Sequence, residues 1–274
     1  MGCTNYQFNY SLISNTNKPL ILFLHGFMGN IQEFNEAIEL LTNDFSYLTI
    51  DLPGHGKTQV LGADEGYTMV NTANALIHLL DELKINQCFL VGYSMGGRLA
   101  LYLTLHFPER FPKVVLESAS PGLATELERI ERIKQDVQIA RKLARSFTKS
   151  DFATFLATWY NQPIFGSIKN HPKFENMLGN RLQNHPNELI KSLQFMGTGS
   201  QPSLWENLKN HETPLLLLVG EYDAKFIDIN TQMAKIGKFS QMKIIKNSAH
   251  NIHFENTLEF VQNIREFFTK QPEN

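Results

Sequence analysis

A serine in a glycine-rich turn is the feature that most constrains the fold of this chain. The turn, GYSMGGR over 92–98, follows the apolar run 88–91 and precedes a helical pattern over 95–106. A sharp strand-to-helix turn holds its central serine in a strained backbone conformation, and flanking glycines leave room for the neighbouring chain. The segment therefore predicts a strand, a Ser94 hydroxyl raised above the edge of a sheet, and a helix behind it.

Short apolar runs alternate with helical patterns along most of the chain. This alternation is typical of a mostly parallel sheet with crossover helices on both faces. Apolar residues at helical spacing predict helices over 67–83 and 95–106. The predicted strands are 6–12, 19–24, 46–50, 87–92, 113–118, 214–219 and 242–246.

The alternation is interrupted in the middle of the chain by a charged stretch that contains no convincing strand. We predict a helical cap over 121–211, inserted before the strand that carries Asp223, and a single α/β core formed by 1–120 and 212–274. Such a cap would lie over the carboxyl ends of the strands, where open α/β sheets bind ligands.

Charge and composition indicate a small-molecule partner. The 25 Lys and Arg residues nearly balance the 27 Asp and Glu residues, so we expect no nucleic-acid partner. No run is long enough to span a membrane, and no spacing indicates a metal or cofactor site. A disulfide between Cys3 and Cys88 is not expected, which is typical of a reduced compartment. We expect a cytoplasmic protein, monomeric or weakly dimeric.

Asp223 and His250 each follow a predicted strand, and their side chains would lie at the same sheet edge as Ser94. A serine at its ordinary pKa is a poor base and a poor nucleophile, so it needs a histidine and an acid that holds the histidine tautomer. The three residues are therefore the candidate catalytic set. The alternatives are Glu221 and Asp228 for the acid and His253 for the base.

Five segments together resemble the α/β-hydrolase superfamily over essentially the whole chain. They are HGFMG (25–29), DLPGHG (51–56), GYSMGGR, GEYDAKF (220–226) and SAHN (248–251). The resemblance implies an eight-stranded, mostly parallel sheet flanked by helices, with a cap. The amide of Met95 lies at a helix N-terminus and, with the amide of Phe27 that the resemblance adds, would form an oxyanion hole.

Arginine residues indicate what the serine acts on. Arg98 follows Ser94 by four residues and so lies one helical turn along on the same face. The predicted cap adds Arg129, Arg132 and Arg181. Guanidinium groups favour carboxylates and phosphates. A substrate with several carboxylates is the simplest interpretation.

Two cap segments make the resemblance more specific. WYNQPIF (159–165) and GTGSQPSLW (197–205), with GEYDAKF and the Arg98 turn, resemble the 2-succinyl-6-hydroxy-2,4-cyclohexadiene-1-carboxylate synthases of menaquinone and phylloquinone biosynthesis. Members of that family eliminate pyruvate from a tricarboxylate, 2-succinyl-5-enolpyruvyl-6-hydroxy-3-cyclohexene-1-carboxylate. The resemblance implies a lyase in which Ser94, deprotonated by His250, removes a proton without forming an acyl-enzyme.

Side chains around the serine would then hold the substrate. The predicted substrate-binding residues are His25, Tyr93, Arg98, Arg132, Trp159 and Arg181. Arg132 is preferred to Arg129 by its position alone, and the choice stays open. Two other functions stay open as well: a serine hydrolase of carboxylated esters or carbon–carbon bonds, and a ligand receptor without catalysis.

Overall fold

The computed structural model describes residues 5–270. The strands are β1 Asn5–Gln7, β2 Tyr10–Ile13, β3 Leu20–Leu24, β4 Ser46–Ile50, β5 Gln59–Leu61, β6 Phe89–Tyr93, β7 Val114–Glu117, β8 Leu215–Gly220 and β9 Ser240–Ile245. The helices are α1 Asn35–Leu41, α2 Met69–Glu82, α3 Met95–His106, α4 Glu126–Leu143, α5 Lys149–Trp159, α6 Phe174–Arg181, α7 Pro186–Met196, α8 Trp205–Leu208, α9 Ala224–Ile236, α10 Ile252–Glu255 and α11 Thr257–Thr269.

Seven strands of the described chain form the central sheet, in the order β2-β4-β3-β6-β7-β8-β9. Strand β2 pairs with β4 antiparallel, and the other neighbours pair in parallel. The implied eighth strand is wrong for this part of the chain. The predicted strand 6–12 is also wrong, because it divides into β1 and β2. Strand β1 leaves the central sheet and pairs with the unpredicted β5 in a separate two-stranded sheet.

The apolar runs form strands because helices cover the sheet on both faces. Every residue of β8 is buried, as is usual for a parallel strand in the middle of such a sheet. Leu217 packs on one face with residues of α2 and α3. Leu216 and Leu218 pack on the other face with residues of α1 and α11. The sheet is therefore the centre of the core, and the carboxyl ends of its parallel strands form one edge.

The chain between β7 and β8 is helical in the described structure and contains α4 to α8. Thr125 and Thr148 cap α4 and α5 through reciprocal hydrogen bonds with Glu128 and Asp151, which satisfies amide groups that a helix start leaves free. The cap has an apolar cluster of its own, which includes Leu143, Phe152, Leu156, Tyr160, Phe165 and Phe174. Met28 of the core joins this cluster, so it also attaches the cap to the core.

Two further findings concern only residues 5–270. No helix in this range is long and apolar enough to cross a membrane. Nor do its His, Cys, Asp and Glu side chains form a group placed to hold a metal ion. Cys88 is buried, and Cys3, which we did not expect to pair with it, lies outside the described residues.

Candidate active site

The turn at Ser94 has the strained geometry that its glycines predict. Ser94 has φ 49° and ψ −106° and stands between β6 and the first residue of α3. A Cβ on Gly96 would lie 2.2 Å from the carbonyl oxygen of Leu24. A strained residue of this kind costs of order 1–3 kcal/mol and persists only where the surrounding structure enforces it. The packed glycines provide that enforcement.

The structure brings the three predicted catalytic residues together. Ser94, Asp223 and His250 follow β6, β8 and β9, so all three stand at one edge of the sheet. His250 Nδ1 lies 2.6 Å from Asp223 Oδ2, and Ser94 Oγ lies 3.0 Å from His250 Nε2. Asp223 is buried, so its carboxylate holds the tautomer in which Nδ1–H donates and Nε2 can accept the serine proton.

The alternative acid and base residues lie elsewhere. His253 Nδ1 contacts Glu117 at 2.8 Å and not the serine. Glu221 accepts a hydrogen bond from the amide of Asn247 at 3.1 Å. Asp228 is exposed on α9. None of these groups takes part in the triad.

The amides of Phe27 and Met95 are free to donate. Within residues 5–270, neither amide gives its hydrogen bond to a protein acceptor. Both residues line the same cavity as Ser94. Met95 begins α3, so the positive end of the helix dipole adds to the effect of its N–H group. The pair is therefore available to serve as an oxyanion hole.

A cavity of about 220 Å³ lies between the triad and the cap. Its aromatic lining includes the predicted Tyr93 and Trp159. The ring of Trp159 is half-buried, and its centroid lies 5.6 Å from that of Phe27. Trp159 therefore gives the cap side of the cavity an aromatic surface.

Arg98 is a buried cation with no carboxylate partner among the described residues. It is 8% exposed and lines the cavity. Its guanidinium donates to two neutral oxygens, the Met196 carbonyl at 3.0 Å and Gln201 Oε1. Burial, and after it the charge of Arg132, lower the pKa of Arg98 to about 9. This direction is expected for a buried cation that no anion neutralises, and it leaves the Arg98 guanidinium without a counter-ion that a ligand would have to displace.

The structure places Arg132, and not Arg129, at the cavity. Arg132 Nε lies 2.8 Å from Asp136 Oδ1, and the side chain is 28% exposed. Arg129 instead donates from Nε to the Gly199 carbonyl at 3.3 Å. Because Asp136 occupies only one side of the Arg132 guanidinium, the remaining N–H groups of Arg132 can still meet a ligand.

Arg181 lines the cavity, but its charge is already neutralised. Both terminal nitrogens bind the carboxylate of Glu33, and Nε donates to the Tyr160 hydroxyl at 3.1 Å. Burial alone would raise the pKa of Glu33, but the charge and hydrogen bonds of Arg181 lower it well below the usual range. The prediction that Arg181 directly binds a substrate carboxylate is therefore not supported, because its guanidinium already binds the Glu33 carboxylate.

His25 is also placed differently from the prediction. Its Nδ1 contacts the Gly26 carbonyl at 2.7 Å, and its Nε2 accepts from the Leu52 amide at 2.9 Å. The ring is 1% exposed and is not part of the cavity lining. The prediction that His25 contacts substrate is wrong in this structure, because both ring nitrogens shape the loop that carries Phe27.

Removing one partner of the buried Glu33–Arg181 pair should strongly destabilise the protein. We expect Glu33→Gln to lower the free energy of unfolding by about 3–5 kcal/mol, because it leaves the Arg181 charge buried without its counter-ion. The control is Glu36→Gln, which removes an exposed pair with Lys173 and should cost only about 0–1 kcal/mol. Urea denaturation measures both. Equal losses in the two variants would contradict the argument.

Two residues of the site were not predicted from the sequence. Lys225 lines the cavity at its exposed mouth, and Gln201 fixes Arg98 from the cap. Each belongs to a segment that the sequence singled out, GEYDAKF and GTGSQPSLW. Both segments were marked in the sequence, but only the fold places Lys225 at the cavity and Gln201 against Arg98.

Comparisons with known proteins agree with this geometry. A family model described as α/β hydrolase fold matches residues 19–257. A Bacillus subtilis (strain 168) protein assigned to the 2-succinyl-6-hydroxy-2,4-cyclohexadiene-1-carboxylate synthases is 38% identical over 91% of this chain and 90% of its own length. The synthase of Escherichia coli O1:K1 is 33% identical over 87% of this chain and 89% of its own length.

A solved structure is similar over nearly the whole chain. MenH from S. aureus superposes with a TM-score of 0.86 at 35% identity and covers 96% of this chain and 97% of its own. The sequence and the fold therefore match the same group of proteins. The chain belongs to the α/β-hydrolase fold family and, within it, to the 2-succinyl-6-hydroxy-2,4-cyclohexadiene-1-carboxylate synthases.

Proposed function

We infer that this protein is a carbon–oxygen lyase that eliminates pyruvate from 2-succinyl-5-enolpyruvyl-6-hydroxy-3-cyclohexene-1-carboxylate. The product is 2-succinyl-6-hydroxy-2,4-cyclohexadiene-1-carboxylate, an intermediate of menaquinone and phylloquinone biosynthesis. Membership of the synthase family supports the reaction. The observation that carries the substrate class is Arg98, a buried guanidinium beside the triad that binds only neutral oxygens.

The triad works as a general base in this proposal. Ser94 gives its proton to His250 Nε2, and the alkoxide removes the ring proton next to the succinyl ketone. Asp223 stabilises the imidazolium that forms. The reaction needs no attack on a carbonyl carbon, so no acyl-enzyme forms.

The electron pair of the broken C–H bond moves through the ring. It forms the C2–C3 double bond, the former C3–C4 double bond shifts to C4–C5, and the C5–O bond breaks. Enolpyruvate leaves and takes up a proton to give pyruvate. Negative charge develops on the ketone oxygen, where the amides of Phe27 and Met95 stabilise it. The loss of one such donor typically costs about 3–4 kcal/mol.

The cations of the cavity hold the carboxylates of the substrate. Arg98 binds one of them bidentately, and Arg132 and Lys225 approach from the cap side and the mouth. Tyr93 and Trp159 pack against the ring. Arg181 acts indirectly, since it fixes Glu33 and the Tyr160 hydroxyl. Recognition is thus shared, since Arg132 and Trp159 belong to the cap, residues 121–211, whereas Arg98, Lys225 and Tyr93 belong to the core, which also supplies the proton transfer.

We propose a cytoplasmic enzyme, monomeric or weakly dimeric, that binds a small tricarboxylate and uses neither metal nor cofactor. It has no nucleic-acid or membrane partner in this proposal. The near-balance of charge, 25 basic against 27 acidic residues, supports a small-molecule partner.

The direct test mixes the protein with the enolpyruvyl substrate. Pyruvate, followed by NADH oxidation with lactate dehydrogenase, should appear in step with the absorbance of the new conjugated diene, well above the uncatalysed rate. The rival function is a serine hydrolase of carboxylated esters or carbon–carbon bonds. A stoichiometric burst with an ester and no pyruvate would establish that rival and exclude the lyase.

A further inference from the structure

Ser118 borders the active-site cavity, and its buried hydroxyl has no protein partner within the described chain. Ser118 is 0% exposed to solvent, and it lines the same cavity as Ser94. Its Oγ makes no hydrogen bond within the described chain. A buried hydroxyl of this kind has lost its contacts with water and gained none from the protein, which is unfavourable unless a ligand restores them.

The backbone at Ser118 shares the positive φ of the backbone at Ser94. Their φ angles are 47° and 49°, in the left-handed region that glycine occupies most easily. The Ser118 amide donates to the Leu218 carbonyl at 2.9 Å, which fixes this conformation. Glycine would meet the same backbone requirement without strain. A serine here therefore retains a hydroxyl at a conformational cost.

The sheet places this hydroxyl beside the triad. Strands β6 and β7 pair in the register Tyr93↔Glu117, so Ser94 and Ser118 are the next residues of neighbouring strands. The Ser94 amide donates to the Glu117 carbonyl at 2.9 Å. Neighbouring strands lie about 4.8 Å apart. In the order β6-β7-β8, Ser118 stands between Ser94 and the strand that leads to Asp223.

We propose that Ser118 is a substrate-binding residue, whose hydroxyl donates a hydrogen bond to the ketone oxygen or the ring-carboxylate oxygen of the substrate beside Ser94. The identity of these oxygens rests on the proposed function. The substrate carries both groups close to the proton that is removed, and Ser118 lines the cavity where that part of the ring must lie. This contact orients the ring at the base.

The test compares Ser118→Gly with Ser118→Ala. Both variants remove the hydroxyl, but only glycine tolerates the left-handed φ without strain. We expect both to lose about tenfold in kcat/KM, the typical effect of one hydrogen bond. Relief of this strain should give the glycine variant a higher Tm than the alanine variant, whose Cβ keeps the strain of the wild type. A glycine variant with the kcat/KM of the wild type would overturn the proposal, since the hydroxyl would then have no use.

A second measurement separates contact with substrate from damage to the triad. The rate at which a small phosphonate reagent labels Ser94 should be unchanged in Ser118→Gly, because the triad does not include Ser118. A labelling rate that falls in parallel with kcat/KM would overturn the proposal and assign Ser118 a structural role.

The third measurement does not depend on turnover. The probe is 2-succinylbenzoate, which carries the ketone and the ring carboxylate on an aromatic ring. By calorimetry, Ser118→Gly should bind it about tenfold more weakly than the wild type does, and equal Kd values would overturn the proposal. A wild type that binds this probe but releases no pyruvate would count against the proposed function alone.

Discussion

Replacing Ser94 by alanine is expected to slow pyruvate release by about 10²- to 10⁴-fold, because the reaction loses its general base. The Ser94 hydroxyl is the group that faces the cavity, and His250 contacts it at 3.0 Å. The oxyanion amides and the cationic cavity remain, so activity above the uncatalysed rate should persist. Single-turnover measurements of pyruvate release at saturating substrate give the comparison.

The matched control is Ser94→Gly. Both variants lack the hydroxyl, so their losses of kcat should be equal, whereas glycine should raise Tm above that of the alanine variant at φ 49°. Wild-type protein quenched during turnover and weighed by mass spectrometry should carry no substrate-derived adduct. A covalent adduct on Ser94 would show that the serine is a nucleophile and would contradict general-base catalysis.

Replacing Arg98 by methionine should lower kcat/KM by about 10²- to 10³-fold, because a substrate carboxylate loses its bidentate partner in a water-poor cavity. Removal of one partner from a buried charge pair typically costs about 2–5 kcal/mol, and each 1.36 kcal/mol is tenfold in rate. Methionine keeps most of the side-chain volume, so the loss reports charge and hydrogen bonding. Steady-state kinetics with the enolpyruvyl substrate measure it.

We expect Arg98→Met to lose activity without losing thermal stability. Arg98 is buried without a carboxylate partner, so its removal should leave Tm unchanged or raise it. Arg129→Met is the control, because Arg129 lies on the same cap helix as Arg132 but outside the cavity lining, and it should keep wild-type kcat/KM. An Arg98→Met enzyme with unimpaired kcat/KM would remove Arg98 from the site.

The triad was predictable because each of its residues is marked locally. A glycine-flanked serine after an apolar run indicates a strand-to-helix turn, and Asp223 and His250 each follow another such run. Parallel strands end at one edge, so three local signals suffice to place the side chains together. The helix 95–106 was predicted with its observed limits for the same reason.

Features that depend on distant partners were not predictable in this way. Arg181 meets Glu33, which lies 148 residues away along the chain, and nothing near either residue marks the pair. His25 resembles a site residue in sequence, but the Leu52 amide occupies its ring nitrogen. The run 6–12 has strand-like alternation, yet it divides because β1 finds a different partner from β2.

The pairing of β7 with β8 also affects how the chain folds during synthesis. Leu116 and Leu217 are neighbours in the middle of the sheet, but the whole cap is translated between them. Closing so long a loop costs entropy before any contact compensates it, and such pairings slow folding. The apolar cluster of the cap can form before β8 has left the ribosome. We therefore expect the catalytic edge to be completed last, when the segment that carries Asp223 and His250 docks on the half-sheet formed before it.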